Sequence, residues 1–417
     1  MPAATPIPRG PSVLTLYSAA DLLTGPGCPV CRYAGEASDR YLTWFALEAH
    51  AETATITRLC ASLGMCPRHT RGLMSQPGAA ARLTAVYRYV VEAGRDRLSG
   101  RATRLAMCPA CDHDQAATGR ALDTLLEGLT DSSVRERYRE LGGVCVPHLR
   151  AAMARGRRRA GAWLCETLTA IVSARPASPG WLAGTDHDAD VRAVLRHAIP
   201  ATVHPGKDVC LPCWAAARSE TDHLARVLRA SDSARRDRRL LLCAGHLSDL
   251  ALLVGRRGLL PLLAWQADCA AASLARPPRS SGWQEGNPAR RLRFFRQAGS
   301  RDACTVCLGT ENAAQRALDD FRALLRASQP VPDHRASVCI RHLLRMRAAD
   351  PWAGQVTVRG AVEHADMLIA ELNEAFRKNM WAHRRESRGL EMTAWRRAAA
   401  FLDGGVFCGC PPRETLM

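Results

Sequence analysis

The stretch CPVCRYAGEASDRYLTWFALEAHAETATITRLCASLGMCPRH, Cys28 to His69, decides the fold. It opens on a Cys-x2-Cys and closes on a Cys-x2-His, with 34 residues between its second and third cysteines. A single pair of cysteines fits a redox couple, half a metal site or chance. The pattern, however, returns along the chain. Cys108 and Cys111 are followed by Cys145 and His148, Cys210 and Cys213 by Cys243 and His246, and Cys304 and Cys307 by Cys339 and His342. The intervening stretches hold 33, 29 and 31 residues.

Three thiolates and one imidazole suit a tetrahedral ion, each short motif supplying one edge of the tetrahedron from a tight turn. Soft sulfur ligands with one nitrogen favour zinc, with an iron–sulfur cluster as the alternative. A thioredoxin-type couple would need a strand–helix context, and it would not need a Cys-x2-His behind each pair. The expected ligands are therefore Cys28, Cys31, Cys66 and His69; Cys108, Cys111, Cys145 and His148; Cys210, Cys213, Cys243 and His246; and Cys304, Cys307, Cys339 and His342. Each Cys-x2-Cys is expected to share its ion with the Cys-x2-His that follows it.

The stretches between the motifs carry helical periodicity. Leu122, Leu125, Leu126 and Leu129 fall on one face, as do Leu224, Val227 and Leu228, and Ala314, Ala317, Leu318, Phe321, Leu324 and Leu325. No strand-like alternation of any length occurs. A helix of about 18 residues carries the chain about 27 Å from its first ligand pair, so a helical hairpin is needed to bring it back. Gly64 and the pair Gly142 and Gly143 suit a helix end just before the Cys-x2-His. The expected fold is all-α, tandem zinc-clipped helical hairpins in two halves.

The 417 residues carry 57 basic and 40 acidic side chains, a net +17. Lys207 and Lys378 are the only lysines, so 55 of the 57 basic residues are arginine. Four Cys3His sites holding a divalent ion would each add −1 and leave +13. Clusters at Arg155 with Arg157 to Arg159, at Arg235 to Arg239 and at Arg290 to Arg296 read as solvated helix faces, with a phosphate-binding surface as the alternative. Trp44, Trp163, Trp214, Trp265 and Trp395 have apolar neighbours and read as core residues rather than base-stacking platforms. No apolar run is long enough to span a membrane, and prolines interrupt the N-terminal stretch where a signal peptide would be apolar. The expected compartment is the cytoplasm.

Proline- and glycine-rich breaks divide the chain into a disordered lead over 1–20, a first half over 21–172, a linker over 173–190, a second half over 191–404 and a flexible cysteine-containing tail over 405–417. A lesser break lies at 275–291. The segments CPVCRYAGEASDRYL…GMCPRH and ELNEAFRKNMWAHRRESRGLEMTAWRRAAAFLDGG resemble a bacterial domain-of-unknown-function family. Its members carry paired CPxC…GxCxxH units and a tail with Lys, Glu and Trp before a final Gly. Lys378, Glu391, Trp395 and Gly404 match that tail, and the chain looks like two copies. The first half lacks a tail of this kind, and the third motif lacks the glycine. The resemblance implies an architecture and metal ligands; it implies no activity.

Metalloprotease, phosphate-loop and serine-hydrolase motifs are absent. The stretches Cys111 to Gln115 and Asp186 to Asp190 read as helix-start and linker residues. Cys60, Cys165 and Cys269 read as core, and Cys408 and Cys410 as thiols of an unstructured tail. Four protein ligands per ion leave no open position for water, which points away from an enzyme. The expected function is a non-catalytic zinc scaffold with a protein partner. A redox or iron–sulfur protein and a nucleic-acid-binding regulator stand as alternatives.

Overall fold

The computed structural model describes residues 11–74, 76, 79–100, 105–155, 163, 167, 210–229, 242, 243, 246, 250, 304–327, 338–383 and 385–403. These residues form α-helices and short 3-10 turns and contain no strand. The all-α class expected from the periodicity holds.

The first half begins with α1 (Val13–Leu22), α2 (Pro29–Leu47), α3 (Thr53–Ser62), α4 (Pro67–Met74) and α5 (Ala79–Ser99). It continues with α6 (Pro109–Gly128), α7 (Ser132–Leu141) and α8 (Val146–Ala154). The second half shows α9 (Leu211–Arg229), α10 (Thr305–Ala327), α11 (Ile340–Ala349), α12 (Pro351–Asn379) and α13 (Ala394–Asp403). The lead expected to be disordered through residue 20 is helical from Val13, because the Ser12 hydroxyl accepts the Thr15 amide at 3.1 Å and caps the first turn. The proposed linkers at 173–190 and 275–291, the tail from 405 and Gly404 lie outside the described residues.

Helices end where the glycines predicted. α3 ends in a left-handed turn at Leu63 and Gly64, with φ of 52° and 88°. α7 ends at Gly142 and Gly143, with φ of 90° and 84°. Gly143 is doubly required, since a Cβ there would stand 2.9 Å from the buried Tyr138 hydroxyl, which accepts the Val144 amide at 3.0 Å.

The chain condenses into two compact units, and each draws on both sequence halves. One comprises 1–37, 114–189 and 227–305; the other comprises 38–113, 190–226 and 306–417. In the first, α1 lies against α6 so closely that a Cβ on Gly128 would fall 2.3 Å from the Ala19 Cβ. The second is organised around α5 and α12. Leu83, Val86, Tyr87, Val90 and Val91 of α5 and Ala361, Ala365, Leu368 and Leu372 of α12 are buried in one core with Ile340, Trp395 and Leu402. α5 shares this core with α2 and α3 on one side and buries the rest of its apolar stripe against the C-terminal helices.

Leu122, Leu125, Leu126, Leu129, Leu318, Phe321 and Leu325 are buried as expected, whereas Leu324 is 46% exposed. Trp395 is core. Trp44, expected in the core, is 39% exposed at the end of α2, and Trp163 and Trp214 are half-buried. Cys60 packs against the core edge and its thiol donates to the Tyr89 carbonyl at 3.4 Å. Cys165, Cys269 and Trp265 lie outside the described residues.

Several arginines are spent inside the fold. Arg347 donates to the carbonyls of Arg97 and Leu98 at the end of α5, at 3.1 and 2.6 Å. Arg341 caps Ser62 at 2.9 Å, and Arg32 caps Leu22 at 2.7 Å. A guanidinium at the carboxyl end of a helix satisfies orphan carbonyls and opposes the negative end of the dipole. Arg155 pairs with Asp123 at 3.2 Å. The other arginines of the three sequence clusters lie outside the described residues.

Candidate metal centres

Among the described residues, seven of the eight short motifs sit at the start of a helix. The amides of Arg32, Thr70, Asp112, Leu149, Trp214 and Leu343 donate to the carbonyls of Cys28, Cys66, Cys108, Cys145, Cys210 and Cys339, all within 2.8–3.1 Å. The first cysteine of a motif is thus the capping residue, and the second ligand stands three residues on, in the first turn. Pro29, Pro67 and Pro109 occupy the first helical position, where a missing amide hydrogen costs nothing. The positive end of the helix dipole faces the ligands and favours thiolate over thiol.

The sixteen residues named from the sequence gather into four groups, and the pairing differs from the expected one. Cys28 and Cys31 meet Cys145 and His148; Cys66 and His69 meet Cys108 and Cys111. Cys210 and Cys213 meet Cys339 and His342; Cys243 and His246 meet Cys304 and Cys307. In both halves the outer motifs pair with each other and the inner motifs pair with each other. A hairpin therefore does not close on its own ligands. The reason is length: α2 has 19 residues and α3 has 10, so at 1.5 Å per residue the chain travels about 28 Å out and only about 15 Å back. Likewise α6 has 20 residues and α7 has 10. The Cys-x2-His stops part-way along the outgoing helix and takes the ligands of the neighbouring hairpin.

The four ligand atoms of each group lie within 4.8 Å of one another, and the histidine presents Nδ1. Cys31 Sγ is 3.7 Å from Cys145 Sγ, and Cys66 Sγ is 3.6 Å from Cys111 Sγ. His148 Nδ1 stands 3.5, 3.3 and 3.2 Å from Cys28, Cys31 and Cys145. His69 Nδ1 stands 3.4, 3.6 and 3.4 Å from Cys66, Cys108 and Cys111. His342 Nδ1 is 3.5 Å from both Cys210 and Cys213 and 3.2 Å from Cys339. His246 Nδ1 is 3.3 Å from Cys243 and 3.2 Å from Cys304. A tetrahedron with metal–sulfur bonds of about 2.3 Å and a metal–nitrogen bond of about 2.0–2.1 Å has edges of about 3.8 and 3.5 Å. The groups have the size of a single ion's ligand shell.

Their electrostatics ask for a cation. Burial raises the Cys28 thiol, but hydrogen bonds from Cys145, Cys31 and His148 outweigh it and hold Cys28 well below the usual range. Cys145 is pushed well above that range by burial and then by its bonds to Cys28 and Cys31. Cys108 is lowered by hydrogen bonds from Cys111 and Cys66, and Cys111 is raised by its bonds to Cys108 and Cys66. Burial opposes the charged form of His148, yet its hydrogen bonds to Cys28 and Cys31 lift it to about 10. Three sulfurs at these distances cannot all ionise by themselves; a divalent ion lets them do so.

The ligand cysteines are buried apart from Cys111, which is half-buried. None of the cysteines among the described residues forms a disulfide. Ser38, which no sequence signal marked, places Oγ 3.1 Å from His69 Nε2 and fixes the far side of that ring. His113 stacks on Tyr41 at 4.8 Å, in keeping with a helix-start position in α6. The stretch Asp186 to Asp190 lies outside the described residues. The candidate tail residues serve the fold: Lys378 pairs with Glu391 at 2.9 Å, and Trp395 is buried. No helix among the described residues is long and apolar enough to cross a membrane.

Comparison with protein-family models, with curated proteins and with solved structures found no match for this chain.

Proposed function

We propose that the chain is a non-catalytic zinc scaffold whose four ions lock pairs of helical hairpins together and present their helices to a protein partner. The observation that carries this is the exchanged pairing of four closed Cys3His groups. Each ion would bridge helix starts far apart in sequence: Cys31 and Cys145 are 114 residues apart. A cross-link closing a loop of that order removes about 4.7 kcal/mol of unfolded-chain entropy in the simplest treatment. When bound, zinc supplies two positive charges and four bonds, and nothing at these sites leaves a coordination position for substrate.

Ligand spacing supports one ion over an iron–sulfur cluster, which distributes its thiolates over several irons and needs them farther apart. Arginines capping α1, α3 and α5 support the reading that part of the positive charge is structural, and so favour a protein over a nucleic acid as partner. Elemental analysis of protein purified without added metal tests the proposal. Four zinc per chain and a colourless protein are expected. One zinc or fewer without iron in its place, or a brown protein with inorganic sulfide, would end it.

A further inference from the structure

The described residues 380–383 and 385–393 lie between α12 and α13, and their frame is ionic. Lys378, 14% exposed, donates to Glu391 at 2.9 Å and to the Ser387 carbonyl at 2.7 Å. Glu391 also accepts the Gly389 amide at 2.7 Å. Arg377 bridges Glu374, at 2.8 Å, and Glu386, at 2.9 Å, and His383 stands 2.8 Å from Glu386. The two carboxylates of the loop, Glu386 and Glu391, are thus both held by cations of the same frame.

A loop fixed so firmly can tuck its large side chains inside, and this one turns them out. Trp381 is 75% exposed, Leu390 79%, Met380 54%, and Phe376 on the adjoining turn of α12 is 42% exposed. Arg385 and Arg388 are exposed between them in sequence. Large apolar side chains on a preformed frame mark a surface whose ordering cost is already met before a partner arrives.

The composition selects the partner. Tryptophan, methionine and arginine are the residues enriched where proteins meet. A nucleic acid could pair its phosphates with Arg385 and Arg388 but would gain little from covering Met380 and Leu390. A peptide can instead place single acidic side chains at Arg385 and Arg388 and apolar ones on Trp381 and Leu390. We infer that the surface formed by Phe376, Met380, Trp381, Arg385, Arg388 and Leu390 is a docking surface for a protein segment that combines apolar side chains with Asp or Glu. The inference rests on the scaffold reading for its purpose, although its frame contains no metal ligand.

Selection of short random peptides on the immobilised full chain tests it. Enriched peptides should carry Leu, Ile or Phe together with Asp or Glu. Their affinity, read by fluorescence anisotropy, should fall about thirtyfold in Trp381→Ala, the scale of an interface hot spot. In Arg385→Glu with Arg388→Glu it should fall at least as far. A single-stranded oligonucleotide and vesicles of phosphatidylserine in phosphatidylcholine serve as the other arms. The inference is overturned if selected peptides bind both variants as well as the parent. It is also overturned if no acidic bias emerges, or if the oligonucleotide or the vesicles show the Trp381 dependence instead. Metal content is measured on the same samples: absence of zinc with intact peptide binding defeats the scaffold proposal and leaves the surface standing.

Discussion

Replacing Cys145 by Ser separates the exchanged pairing from its alternative. Cys145 is fully buried and belongs by sequence to the hairpin that starts at Cys108, yet its sulfur lies 3.7 Å from that of Cys31. A structural zinc contributes an apparent 10–16 kcal/mol or so, shared among four ligands, which is about 3 kcal/mol for one. At 1.4 kcal/mol per decade, opening of the affected turns should become about a hundredfold easier. The turns concerned are those that tie the Arg32 amide to Cys28, at 3.1 Å, and the Leu149 amide to Cys145, at 2.9 Å. Hydrogen exchange of the zinc-loaded protein reads them directly. The Arg32 and Leu149 amides should exchange about a hundredfold faster, while the Thr70 and Asp112 amides, bonded to Cys66 and Cys108 at 2.8 and 3.0 Å, keep their rates. Acceleration at Asp112 with Arg32 unchanged would mean that the hairpin closes on its own ion, and the helix-length reasoning would be refuted.

Gly128→Ala should lower stability by about 1–3 kcal/mol, the usual cost of overpacking, because the new methyl would overlap Ala19 at 2.3 Å; thermal melts of the zinc-loaded chain measure it. The loop carboxylates give a pH signature. Glu391 is depressed to about 2, first by the Gly389 amide and then by Lys378. A carboxylate whose folded pKa lies below its unfolded value of about 4.3 adds stability above that value and loses it as pH falls toward 2. Melting temperatures of the parent and of Glu391→Gln should therefore differ at pH 7 and converge between about pH 4 and pH 2. Metal loss in acid is common to both chains and cancels in the difference, and a gap independent of pH would assign Glu391 a steric role alone.

Which residues form the sites was legible because metal ligands are chemically narrow: only cysteine and histidine fit, and their two-residue gaps match a helix start. Which of them share an ion was not legible from the gaps, since any two motifs supply the two edges of a tetrahedron. The chain length did hold the answer. Of the 34 residues between Cys31 and Cys66, an outgoing helix of α2's length leaves too few for a return of equal length. Gly64 and Gly142 announced the helix ends, because a left-handed residue there is a backbone requirement. The joining of α5 with α12 left no local mark. Both show an apolar stripe, and a stripe states that a partner exists without saying where in the chain it lies. Trp44 and Leu324 misled for a related reason: apolar spacing gives a face, and the face is wider than the contact that covers it.

Cadmium substitution followed by proton–cadmium correlation, using a spin-half isotope of the metal, tests the exchanged pairing most directly, because each cysteine couples only to the ion it binds. Four cadmium resonances are expected. One should correlate with Cys28, Cys31, Cys145 and His148, and another with Cys66, His69, Cys108 and Cys111, with the same nesting in the second half. A resonance shared by Cys28, Cys31 and Cys66 would contradict it.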